Sequence, residues 1–253
     1  MKKHIFVIIS ILAISILPVS AEGADGMFHK ANELYKAKRY DESAALYRKI
    51  LSEGLVSAEL YYNLGNAEYR NGNIAQSILN YERALRISPA DSDIKNNLAL
   101  ARSKTSDNIN TTPKFFLSRW LTGINHCFSA TCWGVICIVF IVLVCVAVSL
   151  FFMSRSYRIR KASFFAGILL ICLLAASIAN AAISNNRLYS HDEAIVTTPA
   201  VSIKSSPDDG SAEKYILHEG TKLFIKDIVG NWAKIELEDG NTGWISDADY
   251  ETI

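Results

Sequence analysis

The residues best suited to chemistry are five histidines and five cysteines, and their spacing assembles no reactive set. His4, His29, His126, His191 and His218 stand apart, and none falls at a metal-ligand spacing from a Cys or Glu. Cys127, Cys132, Cys137, Cys145 and Cys172 all lie in or beside long apolar runs, where a thiol acts as a small apolar side chain. A cysteine nucleophile needs a His partner in a water-accessible module, and a phosphate loop needs a glycine-rich turn after a strand. Neither pattern is present, so the sequence predicts no enzyme, no metal and no cofactor. What remains are residues suited to binding: aromatics and amides recurring at a fixed interval, and two tryptophans, Trp232 and Trp244, near the C-terminus.

The interval is 34 residues, over 24–57 and 58–91, the period of tetratricopeptide repeats. In the second copy Gly65 and Ser77 are small enough for two helices to approach closely, and Leu64, Tyr81 and Leu85 fill the space between them. Asn71, Gly72 and Asn73 form the turn, and Pro89 ends the second helix. The first copy keeps register, with Ala31 at the place of Gly65, Ser43 at Ser77 and Tyr47 at Tyr81. Asp93 is expected to cap a further helix to about Ser103 that covers the last repeat, so the module spans 22–105. This segment resembles the tetratricopeptide family. By register its groove shows Phe28, Asn32, Tyr35 and Lys36 from copy one, and Tyr62, Asn66, Tyr69 and Arg70 from copy two. The asparagines suit an extended peptide's backbone, and Lys36 and Arg70 suit an acidic group.

The elements that carry these modules are sorted by charge. Every Asp and Glu lies between Glu22 and Asp107 or between Asp192 and Glu251. The acid-free middle holds two apolar runs, 132–153 and 163–183, each long enough to cross hydrocarbon as a helix. Between them 154–162 carries Arg155, Arg158, Arg160 and Lys161, and short basic loops stay cytoplasmic. Residues 1–21 read as a secretory signal: Lys2 and Lys3, a short apolar run, Pro18, then Val19-Ser20-Ala21. The two signals agree on a two-pass protein of the bacterial inner membrane with both flanks periplasmic. Residues 106–131 are a linker, and the stretch from Pro113 to Phe128, with Phe115, Phe116, Trp120 and Leu121, is either an interfacial helix or a plain connection.

From residue 190 to 253 the apolar period shifts to two. Short strands around Ile195, Ile203, Phe224, Ala233 and Trp244 are separated by turns at Pro207–Gly210, Gly220, Gly230 and Gly240, which predicts a small closed barrel. Val201-Ser202-Ile203-Lys204-Ser205-Ser206-Pro207, Gly230-Asn231-Trp232 and Asp239-Gly240-Asn241-Thr242-Gly243-Trp244-Ile245 resemble the bacterial SH3-like domain, with Ile203-Lys204 where that family usually has Val-Arg. Trp232 and Trp244 are expected in the barrel core, with a ligand-stacking pair as the other reading. The module has thirteen Asp and Glu against five Lys, which argues against nucleic acid.

The order of signal, two repeats, two spans and an SH3-like tail resembles the Bacteroides aerotolerance (Bat) family. That resemblance implies a multidomain membrane protein acting as a periplasmic interaction scaffold in a cell-envelope complex tied to stress tolerance. Its implied partners are membrane or periplasmic proteins, including von Willebrand A-type Bat proteins. The alternative it leaves is a peptidoglycan tether acting through the SH3-like module.

Overall fold

The computed structural model describes residues 22–107, Phe116 and 123–253. The signal segment lies outside the described residues, as does most of the stretch read as interfacial; of the latter, Phe116 is helical and exposed. The chain forms two units that divide after Leu55.

The first unit is a helical pair, α1 (Glu22–Lys36) and α2 (Tyr40–Ser52). Ala31, Ala44, Tyr47 and Ile50 are its buried apolar residues among those described, and the buried Ser43 Oγ donates to the Ala31 carbonyl at 2.8 Å. Small side chains at 31 and 43 let the helices close and the tyrosine fill the gap.

The second unit opens with the same motif. Ser57 caps α3 (Ala58–Asn71), its side chain accepting from Leu60 N–H. The Asn71–Asn73 turn leads to α4 (Ile74–Ile87), which stops before Pro89. Gly65 leaves room for the Tyr81 ring: a Cβ there would lie 2.7 Å from Tyr81 Cε1. The covering helix α5 (Ser92–Arg102) is capped two residues earlier than expected. Asp91, not Asp93, sits in extended backbone and accepts from the N–H groups of Asp93 and Ile94. Asp93 itself lies in the first turn, where its charge complements the helix dipole.

The two apolar segments are α6 (Ala130–Met153) and α7 (Tyr157–Tyr189). Both are long and apolar enough to cross a membrane. They pack as an antiparallel hairpin: Phe151 meets Phe164, and Gly167 lies against Ala147. Ser163, Ser177 and Ser184 are buried on α7, so small residues line this seam. The expected basic loop is mostly helix. Only 154–156 interrupt it, and Arg158, Arg160 and Lys161 occupy the first turns of α7, because no Gly or Pro stops a helix there and Lys and Arg are good helix formers. At about 1.5 Å per residue α7 spans roughly 50 Å, longer than a hydrocarbon core of about 30 Å. Its polar end is anchored by Asn125, whose amide donates to the Asn180 carbonyl and whose oxygen accepts from Arg187.

The C-terminal part is a seven-stranded antiparallel sheet: β1 (Glu193–Val196), β2 (Ala200–Lys204), β3 (Glu213–His218), β4 (Lys222–Val229), β5 (Trp232–Glu236), β6 (Thr242–Ser246) and β7 (Tyr250–Thr252). The strand order is β3-β2-β6-β5-β4-β1-β7. It wraps one core of Ala194, Val196, Ile203, Leu217, Leu223, Ala233, Ile235, Leu237 and Ile245. The expectation of a closed barrel is modified, since β3 and β7 are opposite edges of the sheet order. Trp232 and Trp244 are not in the core. On β5 the alternation sends Ala233 and Ile235 inward, so Trp232 and Lys234 face out, and Trp244 pairs with Lys204 and Lys234 on that outer face.

Candidate functional site

The repeat residues singled out above are built partly into their own helices. In copy one, Phe28 packs on Tyr47, Asn32 Oδ1 accepts from Tyr47 OH, and Tyr35 makes an edge contact with Tyr40. Lys36 is exposed in the last turn of α1. In copy two, Asn66 Oδ1 accepts from Tyr81 OH at 2.7 Å, the counterpart of the Asn32–Tyr47 bond. It also accepts from Asn97 Nδ2 at 2.8 Å, and the same Asn97 nitrogen donates to Tyr62 OH. The structure therefore brings Tyr62 and Asn66 together beneath α5. Tyr69 packs beside the helical core and Arg70 is exposed at the end of α3. The asparagine oxygens serve the fold, so a ligand at Asn66 would meet its amide N–H₂, which donates to none of the described residues.

A second constellation, unforeseen in the sequence, joins copy two to the sheet module. Ile195 and Ile253 belong to the same core as Ile78, Leu79, Ile94 and Leu98. Gly220, at φ +85°, places bare backbone where Ile78 and Thr105 crowd it; a Cβ would lie 2.6 Å from Thr105 Cγ2. Around this apolar centre runs a chain of charges. Glu82 is buried between Lys222, at 3.0 Å, and Arg102. Lys222 also reaches Glu193 at 3.0 Å, and Arg86 bonds both Glu193 and the Ser190 carbonyl. Arg83 donates to Glu251 at 2.9 Å and to the Thr252 carbonyl. Burial by itself would push the Glu82 carboxyl up; the Lys222 and Arg102 charges and their hydrogen bonds outweigh it and hold Glu82 below the usual carboxylate range. Burial lowers Lys222, yet Glu82 and Glu193 hold it above the usual lysine range.

Asp107 closes the seam. Its carboxylate accepts from His218 N–H, Thr221 OH and the His218 ring, each at 2.7 Å. Partial burial opposes this charge, and the three bonds together bring Asp107 below its usual range. Beside it is a polar hollow of about 200 Å³ lined by Arg102, Thr105, Asp107, Thr221, Lys222 and Glu238. Among the described residues no group of three or more His, Cys, Asp or Glu is placed to hold a metal. Glu82 and Lys222 are 140 residues apart, and only the oddity of a carboxylate on the apolar face of a repeat helix could have flagged them.

Residues 28–92 match the family model described as tetratricopeptide repeat. No curated protein matches the chain. The repeat region is thus similar to a family whose members are typically non-enzymatic interaction modules.

Proposed function

We propose that this protein is a membrane-anchored scaffold that presents its tetratricopeptide repeats to other envelope proteins. The match of 28–92 to that repeat family carries the reading. The hydrogen bonds and ion pairs that join the sheet module to the helices include those of Gln76, Glu82, Arg83 and Arg86 on α4 and those of Asp107. Phe28, Asn32, Tyr35 and Lys36 on the first unit, and Tyr62, Asn66, Tyr69 and Arg70 on the second, are the proposed peptide-binding residues, with Lys36 and Arg70 meeting acidic partner groups.

In this reading α6 and α7 cross the inner membrane. Two modules packed on one another must share a side, and an antiparallel hairpin returns the chain to that side. Arg155, Arg158, Arg160 and Lys161 then hold the turn in the cytoplasm, with both modules periplasmic after removal of residues 1–21. The sequence resemblance to Bat proteins suggests a cell-envelope complex linked to aerotolerance, with von Willebrand A-type members as partners. The test is crosslinking and affinity capture from membranes, comparing the native chain with Lys36→Glu/Arg70→Glu. Native capture of integral envelope proteins, reduced in the double variant, supports the groove. Equal capture by both moves binding elsewhere, and capture of nothing above background removes the scaffold reading.

A second reading, a peptidoglycan tether through an SH3-like module, is favoured by one observation. Trp232 and Trp244 lie diagonally on the outer face of β5 and β6, with Lys204 and Lys234 across the strands. Partly exposed aromatic faces suit stacking on sugar rings. Co-sedimentation of the full chain in detergent with purified sacculi, lost in Trp244→Ala, tests it; no co-sedimentation of the native chain rejects it.

A further inference from the structure

We propose that the β4–β5 hairpin tip is a second membrane contact, seated in the headgroup boundary of the bilayer that α7 leaves. The proposal rests on reading α6 and α7 as spans. α7 ends at Tyr189 and β1 begins at Glu193, so three residues join helix to sheet. The sheet module is therefore held near the membrane: six helical residues, about 9 Å, follow Ile183 to the end of α7, and three extended residues add about 10 Å.

The strand register fixes which part of the module faces back along that connection. β4 runs antiparallel to β1, with Glu193 opposite Phe224. Ile225 N–H donates to the Asp192 carbonyl at 2.7 Å, alongside the connection itself. Everything in β4 after Ile225 therefore runs past the start of β1, in the direction of residues 190–192 that join it to α7. The four residues 226–229 extend about 13 Å at roughly 3.3 Å each. All four are exposed, although Asp227, Ile228 and Val229 stay paired with β5.

Its composition does not fit a water-facing tip. Ile228 is 63% and Val229 48% exposed, and neither belongs to a core cluster. Trp232 is paired with Ser246 and partly exposed at the return, opposite Val229 across the hairpin. Lys226 and Lys234 flank the tip, Lys226 bridged to Glu236. Two aliphatics and a tryptophan at the point, with lysines set back, is the arrangement that places apolar atoms below the headgroups and cations among them. The occupant is lipid rather than a protein because the tether already sets this tip at the bilayer. Asp227 at the tip and the module's acidic balance point to apolar insertion among zwitterionic lipids rather than charge attraction to anionic ones.

The test uses the full chain with its five cysteines replaced by serine, reconstituted in phosphatidylcholine nanodiscs. Single cysteines at Val142, Val229 and Asn241 carry an environment-sensitive fluorophore, and doxyl-labelled lipid is the quencher. Val142 reports on α6, and Asn241 lies in the β5–β6 turn at the opposite end of the hairpin. The expected result is quenching at Val142 and Val229 but not at Asn241, with Val229 about 5–10 Å into the interface. Ile228→Ser is expected to weaken quenching at Val229. Quenching at Val142 with Val229 equal to Asn241 overturns the proposal and leaves the spans standing. No quenching at Val142 overturns the membrane reading and the proposal with it.

Discussion

Gly65 and Ala31 hold the same register position in the two repeats, yet only one of them tolerates a side chain. The Tyr81 ring lies where a Cβ on Gly65 would be, at 2.7 Å. Gly65→Ala gains about 1 kcal/mol of helix propensity and meets an overpacked ring worth about 1–3 kcal/mol, so a net loss of about 1 kcal/mol is expected. Thermal unfolding in detergent checks it, and a stabilised variant would show that Tyr81 moves freely. Ala31→Gly removes a buried methyl and adds backbone freedom, so it is expected to destabilise its unit by about 1 kcal/mol or more by the same measurement. The tyrosines at 47 and 81 hold the asparagines at 32 and 66, which explains why residues legible as a ligand row also carry the fold. Register along a helix gives the face a side chain occupies; it does not say whether a neighbour has already taken its oxygen.

The docking of α4 against β1 and β7 makes its own prediction. Glu82 and Asp107 are both held below their usual ranges in the folded chain. A carboxylate lowered on folding contributes stability that is full above its unfolded pKa of about 4 and is lost as pH falls through the folded value. The seam should therefore hold at neutral pH and loosen in acid below about pH 4. Hydrogen exchange at Ile195 and Ile253, followed from pH 7 to 3, is expected to lose protection there before the β5–β6 core does. Glu82→Ala leaves Lys222 and Arg102 without their shared partner, a loss of about 3 kcal/mol or more for a buried pair. An unchanged melting profile would mean Glu193 alone suffices for Lys222. Individual elements were well marked in the sequence: the Pro89 stop, the apolar spans and five of the strands. β3 and β7 were not, because Glu213–His218 breaks alternation and Tyr250–Thr252 is too short to carry a period. The outward tryptophans were misjudged because a tryptophan in a strand pattern reads as core until its register is known.

On the scale of the molecule, two modules separated by two long apolar helices are joined again through one apolar cluster and its charges. Their mutual packing, with α6 and α7 antiparallel, requires that labels on both modules behave alike. Single cysteines at Glu59 and Asp209 in a cysteine-free chain are expected to react with a membrane-impermeant maleimide from the same face, and one at Arg155 from the other. Reaction of Glu59 and Asp209 from opposite faces would refute the two-pass arrangement. This joining was invisible in the sequence, because each partner surface is an ordinary amphipathic face and the pairing spans most of the chain.

The separation between Glu82 and Lys222 also sets a timetable. At synthesis rates of about 5–20 residues per second, 140 residues take about 7–28 s to emerge. During that interval α4 has folded on α3 and α5 but presents Ile78 and the Glu82 carboxylate to water, waiting for a sheet that is still being made. Ile253, which follows β7, is itself part of the cluster that ends the wait. Assembly thus waits on the sheet: a product lacking β7 and Ile253 would leave the seam open and a ready target for quality-control proteases.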